Sequence, residues 1–388
     1  MKNLYCILFL YIALSLNINA QDIVVNAKVL DSETNEALSN ATVSIDGTRN
    51  CIANIEGEFS IESSPEDELK VSYIGYKTIK IKAGKVGSTI KLTPYSIELS
   101  EVKVLPLKSI LTKIVSVLKS EIPIYKEQES NFYYRQTTQN KGECCEYIET
   151  FLNGYSEVAL RQPSIITGRY GELQDTENKK YSRVGNYYGG SCISPYAPQK
   201  ISKKIIIMPI MLDSEKMYQT NYDILCDKTS GNMLYRITFT PRTKVKAPIV
   251  KGIIYVDADT YKIQKYEGEE LNNHIIDRNG ERYAFTRSFS VSYTYQRGFM
   301  EVQSVTTKGK YMHHGTPVNI NSTLVNVGKK YYNGKKKLGD FANLKNKISS
   351  VNYDAKFWND NSIIKRTPME EKVVKMFEKE NIFSNINE

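Results

Sequence analysis

Val71-Ser72-Tyr73-Ile74-Gly75-Tyr76 closes a stretch that begins near Ile23 and decides how this chain is read. Leu69, Val71 and Tyr73 alternate with Lys70 and Ser72, the period-2 pattern of a strand with one buried face. Outward from there the same pattern recurs. Ile23 to Leu30 alternates through Val25, Ala27 and Val29, and the polar cluster Asp31-Ser32-Glu33-Thr34-Asn35 follows as a turn. Ala41 to Ile45 alternates again, and Asp46-Gly47 is a hairpin signal because Gly tolerates positive φ. Gly57 to Ile61 places Phe59 and Ile61 on one face, and Ile79 with Ile81, then Ile90 with Leu92, supply two more strands. Short strands at this spacing predict a small antiparallel sandwich.

Asp31, Thr34, Leu38, Ala41, Val43, Gly47, Gly57, Phe59 and Ser72-Tyr73-Ile74-Gly75-Tyr76 together resemble the carboxypeptidase regulatory-like domain. The resemblance implies a seven-stranded transthyretin-like sandwich over residues 22–93 with no catalysis of its own. It also implies a Gram-negative envelope setting, where such modules precede TonB-dependent transporters and other surface proteins. Ala27 and Asn40 stand where that family often has Gly, and neither is expected to need an unusual backbone angle.

Lys2, the apolar run Leu4 to Leu16 and the small Ala20 predict a secretory signal over residues 1–20. The run is shorter than the ~20 residues a membrane span needs. The expectation is therefore export, to the periplasm or the outer membrane. Five cysteines would follow such a signal, Cys51, Cys144, Cys145, Cys192 and Cys226, an odd number that implies no disulfide framework. In the adjacent pair Cys144-Cys145, strand alternation is expected to bury one thiol and not the other. Asp22 to Thr93 carries 8 Lys and Arg against 11 Asp and Glu, and the rest of the chain after Thr93 is net +11. A basic large domain favours anionic headgroups or an acidic protein face.

Residues 94–105 read as a linker. Residues 106–388 read as a β-rich domain, a larger curved antiparallel sheet with few helices. Pro106 suits a first helical turn, and Ile110, Leu111, Ile114, Val117 and Leu118 share one helical face up to Glu121. Thr367-Pro368-Met369-Glu370 opens a last helix to Lys379 with a capping box. Between them, Phe132 to Arg135, Cys145 to Leu152, Leu234 to Phe239, Gly252 to Asp257, Tyr283 to Tyr295, Met300 to Lys310 and Pro317 to Val327 read as strands. The helix, the Phe132-Tyr133-Tyr134-Arg135 strand and Phe357-Trp358-Asn359-Asp360-Asn361 resemble exported proteins in which a regulatory-like domain precedes an uncharacterised β-rich domain. Tyr255-Val256-Asp257 with Thr260 is similar to periplasmic lipoprotein carriers, whose curved sheet cups acyl chains.

No nucleophile elbow, phosphate loop or dinucleotide glycine pattern occurs, so neither a catalytic residue nor a cofactor is expected. His313 and His314, adjacent on a strand, should face opposite ways, and no metal site is expected. Tyr187, Tyr188 and Tyr196, in a Gly- and Tyr-rich loop, are the candidate binding residues, because tyrosine rings offer a flat apolar face with a polar tip. The lysines around Tyr331 and Tyr332 read as an exposed basic turn, and export argues against nucleic acid. These features predict a non-catalytic envelope protein, peripherally associated with the outer membrane, whose large sheet binds a protein partner or an amphiphile. The alternative is an envelope polysaccharide or peptide hydrolase using two of Asp257, Asp259, Glu267, Glu269 and Glu270 as paired carboxylates.

Overall fold

The computed structural model describes residues 22–46, 49–97, 105–121, 129–156, 160–177, 179–181, 199–201, 204–206, 217–242, 246–277, 279–295, 300–328, 336–337, 344–351, 353–361 and 363–383. The signal segment and the lysine-flanked tyrosines lie outside them. The chain divides into two compact units, one ending at Leu92 and the other taking Ile74–Lys77 together with Thr93 onward.

The first unit holds β1 (Ile23–Asp31), β2 (Thr42–Ile45), β3 (Arg49–Ile52), β4 (Glu58–Ser63), β5 (Glu68–Ser72), β6 (Ile79–Lys82) and β7 (Thr89–Leu92). They form two sheets, β4-β1-β7 and β3-β2-β5-β6, seven strands in all. Alternation buries Val25, Ala27 and Val29 from β1, Val43 and Ile45 from β2 and Leu69 and Val71 from β5. Two details depart from the sequence reading. β7 pairs with β1 in parallel, because it follows β6 in the other sheet and crosses back to run alongside β1. β3 carries no apolar alternation, only Ile52 of its residues being buried, and its pairing with β2 alone makes it a strand.

Asn40 adopts φ +67°, against the expectation of an ordinary angle. Asn reaches this left-handed region more easily than other side chains, so it replaces Gly there at modest strain. Gly57 has no such substitute. At φ +79° a Cβ would lie 2.6 Å from the Val29 carbonyl oxygen.

The second unit is built on β8 (Ser96–Ile97), β9 (Glu129–Asn140), β10 (Glu143–Ser156), β11 (Leu160–Glu172), β12 (Gln199–Ile201), β13 (Lys204–Ile206), β14 (Tyr218–Cys226), β15 (Met233–Pro241), β16 (Ile249–Asp257), β17 (Ile263–Ile276), β18 (Arg282–Thr294), β19 (Glu301–His313), β20 (Thr316–Gly328) and β21 (Lys336–Lys337). β12 and β13 make a small ribbon, and the others form one sheet of 12 strands, ordered β21-β11-β10-β9-β20-β19-β18-β17-β16-β15-β14-β8. β14 to β20 run as a meander, and β9 closes onto β20 to add the β9-β10-β11 hairpins at its far side. Bulges at Tyr255/Val256, Glu270/Asn273 and Ser292/Tyr293 bend the long strands.

Residues 94–105 are more than a linker at their start. Tyr95 N–H donates to the Gly75 carbonyl, and Ser96 and Ile97 pair with Cys226 and Leu225. The Ile74-Gly75-Tyr76 end of the opening motif therefore belongs to this unit.

Among the described residues the α-helices are α1 (Leu107–Glu121), α2 (Leu344–Ile348), α3 (Ala355–Asp360) and α4 (Pro368–Lys379). α1 buries Ile110, Ile114 and Leu118 against one face of the sheet, with Tyr134, Ile148 and Phe289 in the same cluster. α4 begins with Thr367 capping Glu370 N–H and Glu370 returning to Thr367 N–H, the reciprocal box its sequence predicts. It buries Val373, Val374 and Phe377 on the opposite face, beside Tyr147 of β10. Both Cys144 and Cys145 are buried, contrary to the expectation of one, since α4 packs over Cys144 while Cys145 lies against Asn140 and the Thr138 carbonyl of β9.

Candidate functional site

Three neighbouring strands place a row of charge under α4. Cross-strand register sets Arg135 of β9 and Arg169 of β11 on either side of Glu149 of β10. Alternation then adds Tyr133, Tyr147 and Phe151 to the same face. Arg169 is 1% and Glu149 2% exposed at the side chain, a depth at which charges persist only when paired.

The pairing is dense. Arg169 donates from Nε at 2.8 Å and from Nη2 at 2.6 Å to Glu149 Oε2, and from Nη1 at 2.8 Å to Glu378 Oε1 on α4. Arg366 Nη2 reaches Glu149 Oε2 at 3.4 Å, and Arg135 Nη2 reaches Oε1 at 3.4 Å. Tyr133 Oη donates to Oε1 as well. Arg135 also donates to Glu370 Oε2 at 3.1 Å and to the Ile364 carbonyl at 2.9 Å. Trp358 of α3 lies over the Arg169 guanidinium, 4.7 Å from ring centre to Cζ.

Burial by itself would push the Glu149 carboxyl up, but Arg169, then Arg366 and Arg135, outweigh it and hold the group well below the usual carboxylate range. Burial pushes the Tyr133 and Tyr147 phenols up. No proton on these three groups moves near neutral pH, so the row is unsuited to general acid–base work. What it does is clasp the C-terminal segment, since residues 364–378 supply most of its partners from outside the sheet. Tyr147 Oη, Arg366 Nε and Trp358 Nε1 are buried there without a hydrogen-bond partner among the described residues.

On the other face, Phe285, Arg287 and Phe289 share one side of β18. Arg287 Nη2 donates to Glu270, whose second oxygen accepts from Asn273 Nδ2 at 2.9 Å. The five carboxylates of the hydrolase alternative are divided between one turn and the two faces of β17. Asp257 caps its own hairpin, accepting from Thr260 N–H at 2.8 Å and Asp259 N–H at 3.2 Å. Glu267 pairs across from Ile253, four positions before Asp257 and so roughly 13 Å away at ~3.3 Å per residue. Glu269 pairs with Lys251, further along the same strand, and Glu270 is occupied by Arg287 on the opposite face. Glu267 and Glu269, two apart on one strand, share a face roughly 7 Å apart by the same rise, and Glu267 is engaged by Tyr255 Oη at 3.1 Å and Lys265 Nζ at 2.5 Å.

At the rim of the sheet two hairpin tips meet. Asp277 precedes the β17–β18 turn, and its Oδ1 accepts from Asn279 N–H and Glu281 N–H, both at 2.9 Å. His313 Nε2 lies 3.2 Å from Asp277 Oδ2, and His314 Nε2 lies 3.1 Å from Glu281 Oε2. The two imidazoles are on one side because β19 ends at His313. His314 sits in the turn at φ +46°, followed by Gly315 at φ +77°. Two positive angles in a two-residue loop are the type I′ hairpin geometry, which breaks the alternation that would have separated them.

The candidate tyrosines Tyr187, Tyr188 and Tyr196 lie outside the described residues. The Glu149 row and the rim cluster were not among the sequence candidates. Their signals were present: a carboxylate inside the otherwise buried run Tyr147-Ile148-Glu149-Thr150-Phe151-Leu152, and a Gly directly after the His pair.

Residues 25–104 match the CarboxypepD_reg-like domain family, and the first unit is such a domain. No curated protein matches the chain. Among solved structures, the β-rich region resembles a DUF1329 family protein from Desulfovibrio piger, at 12% identity over 58% of this chain and 94% of that one, with a TM-score of 0.21. A likeness of that strength says nothing of activity.

Proposed function

We propose that this is an exported, non-catalytic cell-envelope protein whose CarboxypepD_reg-like domain is an accessory module and whose large sheet engages a protein partner. Export rests on the signal pattern of residues 1–20. The observation that carries the choice of partner is the packing of α1. Ile110 and Ile114 are fully buried and Leu118 nearly so against the sheet face that an amphiphile would need. An acyl chain there would have to displace this helix. The net +11 of the residues after Thr93 suits an acidic protein face, and also peripheral contact with an anionic outer-membrane surface.

The test is to express the full chain in a Gram-negative host, fractionate the cells, and crosslink in the envelope fraction. The reading expects a processed protein in that fraction with a reproducible protein adduct and no stoichiometric lipid on extraction. Full-length protein confined to the cytosol overturns export. Lipid recovered at one per chain overturns the protein partner in favour of an amphiphile.

A further inference from the structure

Glu281, His313 and His314 each offer one ligand atom, and these atoms lie within 4.8 Å of one another. We propose that the three form a site for a divalent transition ion of the zinc class, at the meeting point of the β17–β18 and β19–β20 hairpins. Two ligands of a tetrahedral zinc with bonds of about 2.0–2.1 Å sit about 3.3 Å apart, so the donors need to draw in by about 1.5 Å at most. Two of them can. His314 and Glu281 are 69% and 53% exposed at the side chain, on hairpin tips.

The third donor is held in place. Asp277 is 3% exposed and anchored by the two backbone N–H groups on its Oδ1, and its Oδ2 faces His313 Nε2. A carboxylate in that position fixes the proton of the neutral imidazole on Nε2 and leaves the lone pair on Nδ1. A metal-binding histidine is regularly oriented in this way by an outer carboxylate. Tyr283 plays a similar part for the carboxylate ligand, its hydroxyl donating to Glu281 and lying 3.2 Å from His314 Nε2. The imidazole rings of His313 and His314 are 4.5 Å apart, centre to centre.

The donor set selects the metal. Two imidazoles with one carboxylate suit Zn2+, Cu2+ or Ni2+ and are poor for Ca2+ or Mg2+, which prefer all-oxygen shells. Three protein ligands leave a fourth position for water or for a donor from another molecule. This site stands independently of the partner reading above.

The experiment is calorimetric titration of the untagged, chelator-stripped full chain with Zn2+, repeated with Co2+ while following its visible absorption. The expected result is one Zn2+ per chain and a Co2+ spectrum of low coordination number. His314→Asn, which keeps a residue tolerant of the left-handed turn, is expected to weaken Zn2+ at least tenfold, and Glu281→Gln about tenfold. Asp277→Asn, which changes only the outer carboxylate, is expected to weaken it 10–100-fold. His274→Ala, whose side chain leaves the strand on the face opposite Ile275, is the control and should leave binding unchanged. Absence of binding to the folded wild-type chain, or binding that His314→Asn and Glu281→Gln leave intact, overturns the proposal.

Discussion

Replacing Glu149 by Gln removes the one carboxylate shared by three guanidinium groups while keeping its shape. Among the described residues Arg169 would retain one carboxylate, Glu378, whose side chain is 38% exposed, beside the Tyr353 hydroxyl, and Arg135 would retain Glu370. Arg366 would lose the carboxylate it reaches at 3.4 Å. Breaking a buried pair from one side costs about 3–5 kcal/mol, because the remaining charge stays desolvated. The loss should be local, because the orphaned arginines hold residues 364–378. Hydrogen exchange of the α4 amides is therefore the assay: Glu149→Gln should raise their exchange well above wild type while β16 and β17 change little.

Acid gives a second arm to the same test. The folded Glu149 carboxyl titrates below its unfolded value, so its contribution is fully present above pH ~4.3 and is lost as pH falls below that. Wild-type protection of α4 should thus decline on acidification more steeply than that of Glu149→Gln. In an Arg169→Met background, Glu149→Gln should cost less than alone, by about 0.5–3 kcal/mol of coupling. Exchange in α4 unchanged by Glu149→Gln, or a total loss within about 0.5 kcal/mol, would refute the clasp.

Gly57→Ala should destabilise the first unit by at least the ~1–2 kcal/mol of a forced left-handed residue, with the clash against the Val29 carbonyl added, and thermal unfolding of the full chain reads it. Thr367→Ala removes the α4 cap and should cost about 0.5–2 kcal/mol, visible as faster exchange in its first turn. Ile114→Ala, at a fully buried position of α1, should cost about 2–5 kcal/mol by chemical denaturation. The Cys144 thiol, pushed up by burial, should resist alkylation at pH 8 in the native protein, and mass spectrometry showing it modified without denaturant would contradict its placement.

The sequence by itself determined many of the strands, their faces and the ends of two helices. Those signals are local: side chains two apart share a strand face, Thr367 with Glu370 marks a helix start, and Pro106 precedes another. They located β1, β15 and β20 and the buried sides of α1 and α4 without knowledge of any partner strand. β3 escaped because Arg49-Asn50-Cys51 carries no alternation, and only its register with β2 makes it a strand.

Tertiary structure decided everything that depends on which strands lie side by side. Arg135, Glu149 and Arg169 are 14 and 20 residues apart in sequence and become one buried row only through the β9-β10-β11 register. The two arginines are then desolvated by a C-terminal segment some two hundred residues away. The same holds at the rim. Strand periodicity set His313 and His314 on opposite faces. The positive backbone angles of the turn brought them together, and the neighbouring hairpin supplied Glu281 and Asp277. Alternation carries information about one strand at a time, and the pairing of distant strands, with the electrostatics that follow from it, is fixed only when the sheet closes.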